Sequence, residues 1–288
     1  MNQREVSLMS KDEKPVIWQE ITWKEVEKVS KQVGIAILPI GATEQHGYHC
    51  PTGVDFYNAY EISKRVSAKT GAIVAPPMPY GSHPYFHYGF IGTIPIRATT
   101  QIEFVRDVVK GLVNSGFRKI IIMQSHGQWW TIHTAMQEIA LDVDCFMAVA
   151  TWWELACEKI KEVCETPFKH ADEVETSVSL ALYPELVDMS KAEPDFTLIP
   201  YIDKKFVRPA VHGDLINAFP IESITFVPQE STMKTGAPGD PRKASAEKGE
   251  AIVSTAVNII VDLIEYLKKN YKPSEWPKVK PELKEEMY

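Results

Sequence analysis

The chain has 288 residues, of which 44% are hydrophobic, 24% charged and 10% aromatic. That is enough to bury a substantial core, and it excludes a collagenous, coiled-coil or largely disordered protein. Thirty-one basic residues against thirty-eight acidic ones leave a formal charge of -7, so the electrostatic footprint of a nucleic-acid binder is missing. The opening stretch MNQREVSLMSKDEKP scatters charge where a signal peptide needs an apolar run, and no segment reaches membrane-spanning length. Cys50, Cys145, Cys157 and Cys164 match neither a zinc ribbon nor a dense disulfide frame, so a reduced, cytoplasmic chain is expected.

In chain order, a helical pattern at 23–31 precedes GIAILPI at 34–40, a nearly all-apolar run expected of a strand buried on both faces of a parallel sheet. A second helix is expected at 56–68 and a second apolar run at 71–75. Residues 76–95 (PPMPYGSHPYFHYGFIGTIP) hold five prolines and three glycines, which rule out a regular helix and predict a long loop. The helix expected at 101–115 has apolar positions at Phe104, Val108 and Leu112. Apolar runs at 119–123 and 145–151 flank a further helix at 131–141. Scattered Pro and Gly at 188–228 suggest a short, strand-rich insertion. The turn residues Gly236, Pro238, Gly239, Asp240 and Pro241 precede one long closing helix at 243–269, and a Pro- and charge-rich tail reads as a surface arm. Strands alternating with helices define an α/β domain with right-handed crossovers.

The segment GATEQHGYHCPTGVD directly follows the first buried strand, and ligands of open α/β sheets bind beyond the carboxyl ends of strands. Glu44, His46 and Asp55 are a ligand mix suited to divalent Zn, Mn or Fe. The segment reads equally as a polar loop with Asp55 capping a helix. A second histidine, His126, stands in Ser125–Gly127 at the end of another strand, where it can converge with the first group. A third polar run, HADEVETS, brings His170, Asp172, Glu173 and Glu175 before an apolar helix. Asp172 and Glu173 suit the positive end of that helix, whereas Glu175 lies close to its apolar face. Cys50 shares the first loop without an identifiable base, so a small buried side chain is expected there rather than a nucleophile.

Five ordered motifs carry a resemblance: LPIGATEQHGYHCPTGVD at 38–55, GTIPI at 92–96, SHG at 125–127, HADEVETS at 170–177 and TGAPGDPRKASAEKGE at 235–250. Across most of residues 18–270 the sequence resembles the creatininase (creatinine amidohydrolase) family. The resemblance implies a single three-layer α/β/α domain with a mostly parallel sheet and a tail from 271 to 288. It also implies two divalent metal ions per chain (Zn, Mn or Fe), which share and activate a water and polarise a carbonyl. Matched residue by residue, Glu44, Asp55 and His126 hold one ion, and His46 with Asp55 the second, Asp55 bridging. The remaining carboxylate of creatininase itself falls here on Gln128, so Glu175 of the ETS motif takes that place. His170 matches the proton-shuttling histidine, and Ser82 and His83 match the substrate loop, in which His87 is open to the same role or to bonding a backbone carbonyl.

Gln128 and Trp129, in HGQWW, are then free to meet substrate, one by hydrogen bonds and the other by covering a ring face. The family opens creatinine, removes a formyl group from a pyrimidine intermediate, cleaves peptides and opens the inositol-derived diketone 3-dehydro-scyllo-inosose. The departure at Gln128 counts against creatinine and makes the inosose the leading expectation, with a cyclic amide or formamide as the alternative. A noncatalytic α/β module binding an ion or ligand is the competing class. A closed homo-oligomer such as a hexamer is expected by resemblance, with a small polar cyclic substrate and neither nucleic acid nor membrane as partner.

Overall fold

The computed structural model describes residues 14–83, 85–127, 130–195 and 234–271. Among these residues five strands, β1 (Val16–Ile17), β2 (Ile35–Ile40), β3 (Ile73–Val74), β4 (Lys119–Gln124) and β5 (Phe146–Thr151), form one sheet in the order β1-β3-β2-β4-β5, every pair parallel. The helices are α1 (Trp23–Gln32), α2 (Val54–Thr70), α3 (Ala98–Asn114), α4 (Trp130–Asp142), α5 (Trp152–Leu155), α6 (Cys157–Val163), α7 (Glu173–Leu182) and α8 (Ala246–Asn270).

All six residues of β2 are buried, as an all-apolar central strand requires. Successive side chains part to opposite faces. Ile35, Ile37, Ile121 and Met123 pack with α2, α7 and α8, while Ala36, Leu38, Ile120 and Ile122 pack with α1, α3 and α4. The result is the three-layer α/β/α arrangement. Among the described residues no helix is long and apolar enough to cross a membrane.

Local signals set the boundaries. The strand expected at 71–75 shortens to β3 because Gly71 ends α2 in the left-handed region, at φ 69°. The closing helix starts at Ala246 rather than 243, since Pro241–Lys243 is a separate 3-10 turn and Ser245 caps α8 by accepting from the Lys248 N–H. In α3 the buried face is Val105, Val109, Leu112 and Val113, and Phe104 is 39% exposed, so the apolar stripe is rotated from the expected Phe104–Val108–Leu112 line. Val105 and Val109 fit the same helical spacing and reach the sheet. Most of the insertion expected at 188–228, and the tail beyond 271, lie outside the described residues.

Register brings the strand ends level: Ile40 lies beside Gln124, and Gln124 beside Thr151. Because β3 lies on one side of β2 and β4 on the other, the chain reverses its direction across the sheet here, and the loops after β2 and β4 frame a crevice.

On the far layer, α7 and α8 approach so closely that a Cβ on Gly249 would lie 1.8 Å from the Ser177 carbonyl oxygen. Gly249→Ala is expected to force the helices apart and destabilise the chain by about 3 kcal/mol or more. Gly111 in α3 meets nothing within 4 Å, so Gly111→Ala should stabilise by about 0.5–1 kcal/mol. Thermal unfolding of the two variants checks the opposite signs.

Candidate metal centre

The loop leaving β2 doubles back at once into α2. A Cβ on Gly41 would lie 2.5 Å from the Asp55 backbone, so only glycine permits this approach. Asp55 is the second residue of α2, and the helix-capping role open to it in the sequence is not the one it takes. Its two carboxylate oxygens face two histidines: Oδ1 lies 3.5 Å from His46 Nε2 and Oδ2 lies 2.9 Å from His126 Nδ1. The His46 ring is turned inward by its other nitrogen, which bonds the Glu44 carbonyl at 3.1 Å. His126, just past β4, is held likewise: Nε2 lies 2.7 Å from the Ser82 carbonyl, and Nδ1 is 3.0 Å from Glu44 Oε2.

The third part comes from the start of α7. Asp172 caps that helix, accepting from the N–H groups of Val174 and Glu175. Ala171 before it adopts φ 49°, a left-handed conformation costly for a residue with a Cβ, and this bend places His170 on the crevice side. Glu175 reaches inward to 3.6 Å from His46 Nε2 and 3.8 Å from His170 Nδ1. Glu173 turns the other way, accepting from the Glu165 and Thr166 N–H groups and from Lys248 Nζ at 2.7 Å.

The structure therefore gathers Glu44, His46, Asp55, His126, His170 and Glu175, all buried, with Ser82 and His83 at their edge. The Ser82 hydroxyl is buried without a hydrogen-bond partner among the described residues, and His83 Nδ1 stands 3.6 Å from Glu44 Oε2. Gln128 and Trp129 lie outside the described residues. Trp152 and Trp153 are core residues, Trp130 is half exposed, and Cys50 is part-buried with its thiol pushed up to about 12 by burial. Two further participants join them: His87, which its loop offered as a substrate contact, and Gln45, which the sequence did not single out. His87 contacts Glu44 Oε1 from the 3-10 turn Tyr85–Gly89, and Gln45 bonds His170. The His83–His87 spacing was visible, but nothing in a proline-rich loop tells which way its histidines face.

Electrostatics bind the group together. Burial opposes a charge on His46, yet the carboxylates of Asp55, Glu175 and Glu44 outweigh it and hold the imidazole up at about 9. Burial likewise opposes charge on Glu44, and the neighbouring His87 and His126 more than compensate, keeping its carboxyl well below the usual range. Burial pushes Glu175 up to about 8 and His170 down to about 3. Three carboxylates this deep are costly without cationic partners. Among the described residues, His46 Nε2 and both ring nitrogens of His83 are buried with no hydrogen-bond partner. Three overlapping sets, Glu44–His83–His126, Glu44–His87–His170 and His46–His170–Glu175, each bring their ligand atoms within 4.8 Å. Oxygen and imidazole donors with unfilled lone pairs fit a divalent transition metal.

The layered parallel sheet with this cluster at its strand ends defines an α/β protein with a candidate divalent-metal centre. A sequence profile described as creatinine amidohydrolase matches residues 19–264. The 3-dehydro-scyllo-inosose hydrolase of Thermotoga maritima is 34% identical over 276 residues, 91% of this chain and 86% of that protein. The creatinine amidohydrolase of Pseudomonas putida is 30% identical over 275 residues, 87% of this chain and 96% of that protein. A manganese creatininase structure superposes with a TM-score of 0.69 at 27% identity, covering 88% of this chain and 99% of that one. The chain belongs to the creatininase family.

Proposed function

We propose that the protein opens a polyhydroxylated ring ketone of the 3-dehydro-scyllo-inosose kind, using two divalent ions per chain. Glu44, Asp55 and His126 would hold one ion, and His46, Asp55 and Glu175 the other. The observation that carries the dinuclear reading is Asp55, whose two oxygens face His46 and His126 separately. The similarity to the Thermotoga maritima enzyme supports the substrate class.

Such ions would supply Lewis acidity there, lowering the pKa of a water and polarising the substrate carbonyl. The chain's own residues supply orientation and a proton. His46 and His126 are each fixed through the ring nitrogen remote from Asp55, by the carbonyls of Glu44 and Ser82. His170, uncharged in its buried setting, stands beside Glu175 and would carry a proton to the departing atom, an enolate carbon in a diketone or a nitrogen in an amide. Ser82, His83, Gln128 and Trp129 would meet the substrate, and a site built to pair hydroxyls rejects analogues lacking them. The relation to creatinine amidohydrolase keeps a cyclic amide as the second reading.

Metal analysis checks the ligand set. Two equivalents are expected in the saturated protein, with Asp55→Ala losing both, and Glu175→Ala or Glu44→Ala losing mainly one. Fewer than one equivalent in the unaltered chain would remove the dinuclear reading.

A hydrolysis screen over inositol-derived ketones, cyclic amides and formamides is expected to find turnover on the ketone, abolished by chelation. Gln128→Ala should keep both ions while losing turnover by about 100-fold or more. Turnover confined to creatinine would transfer the reading to the amide class.

Exposed Tyr80, Tyr88, Ile91 and Ile94 make the loop after β3 an apolar surface suited to a closed homo-oligomer. Sedimentation at micromolar concentration should give a species larger than the monomer.

A further inference from the structure

Gln45 stands between two members of the cluster, Glu44 and His46, and its own side chain turns toward a third, His170. Its Nε2 lies 3.1 Å from His170 Nε2 and donates to the Gly236 carbonyl at 2.8 Å. Its Oε1 accepts from the Gly47 N–H at 3.1 Å. Its main-chain carbonyl lies 2.9 Å from the same His170 nitrogen, and its main-chain N–H donates to Thr93 Oγ1 at 3.1 Å.

These contacts fix the amide in one sense. A flipped amide would set an NH2 group against the Gly47 N–H and an oxygen against the Gly236 oxygen, losing both bonds. Gly236, at φ 78°, presses directly on this group, and a Cβ there would lie 2.1 Å from Gln45 Oε1. The loop at 234–240 therefore clamps Gln45, and Gln45 clamps His170.

His170 needs such a clamp. A free imidazole would turn about its side-chain bonds. Gln45 presents both an acceptor and a donor to Nε2, so that nitrogen finds a partner with or without its proton. With Nε2 occupied, Nδ1 is the nitrogen left facing Glu175, 3.8 Å away, with the His46 ring centroid 4.4 Å from that of His170.

We infer that Gln45 is a positioning residue that sets the ring orientation of His170 and makes Nδ1 the atom through which His170 passes its proton. The inference rests on the reading of His170 as the proton carrier. Removing an outer partner of a site residue commonly costs about 10- to 100-fold.

The test is a double-mutant cycle in the metal-loaded protein, with Gln45→Met, which keeps length and loses the amide, and His170→Ala. Gln45→Asn, whose amide is too short to reach both Gly236 and His170, serves as a second variant. Gln45→Met is expected to lower kcat on 3-dehydro-scyllo-inosose about 10- to 100-fold, with KM and metal content little changed, and to have no further effect in the His170→Ala background. An equal loss in both backgrounds, or a loss of metal, overturns the inference while leaving His170 as the proton carrier. Full turnover by His170→Ala alone overturns that underlying reading and the inference with it. A crystal structure of Gln45→Met gives a readout free of activity: the His170 ring is expected rotated or in two orientations, and an unmoved ring with Nδ1 still toward Glu175 counts against Gln45.

Discussion

The Asp55 carboxylate held between His46 and His126 is the contact on which the rest of the site depends. One oxygen goes to each imidazole, so a single side chain ties the loop after β2, the first turn of α2 and the end of β4. Each tie is possible only because neighbouring parts are already exact. The even register of β2 with β4 sets His126 level with the β2 loop, and the bare Cα of Gly41 lets that loop meet α2. A displacement of either strand by one residue would turn its side chains to the opposite face of the sheet and dissolve the cluster.

Around that contact the protein arranges a dense set of opposed charges inside its lowest-dielectric region. His46 and Glu44 remain favourable to charge there because each is surrounded by groups of the other sign, whereas Glu175 and His170 are driven toward neutrality by burial. The cluster is anionic in composition and imidazole-rich in its contacts, which is the balance that admits a cation without leaving a carboxylate stranded.

Much of this was legible in the sequence, for reasons that differ between elements. GIAILPI and KIIIMQ read as buried parallel strands because burial on both faces leaves no polar alternation. The GATEQHG and HADEVETS segments stood out because polar residues gathered just beyond apolar runs. The face of α3 was less legible, since Val105 and Phe104 occupy adjacent positions of a helix that is apolar over more than one stripe. Gln45, and the turn of His87 onto Glu44, were hidden for another reason. Their importance comes from loop closure over long sequence separations, as between Gln45 and Gly236, and no local pattern encodes it. Glu173 looked like an ordinary acidic residue at a helix start, and the arrival of Lys248 from α8 gives it a cationic partner that no local pattern announces.

The late position of α8 has a bearing on how the chain is made. Strands β1 to β5 and the residues of the metal cluster all precede it, yet the layer formed by α2 and α7 stays uncovered until α8 packs against it. A nascent chain emerging at about 5–20 residues per second therefore displays an apolar sheet face, with its cluster half assembled, for some seconds before the closing helix leaves the ribosome. Premature termination before Ala246 would release a species that carries the ligand-bearing segments and a sticky surface together, a natural substrate for chaperones or proteases rather than a truncated enzyme.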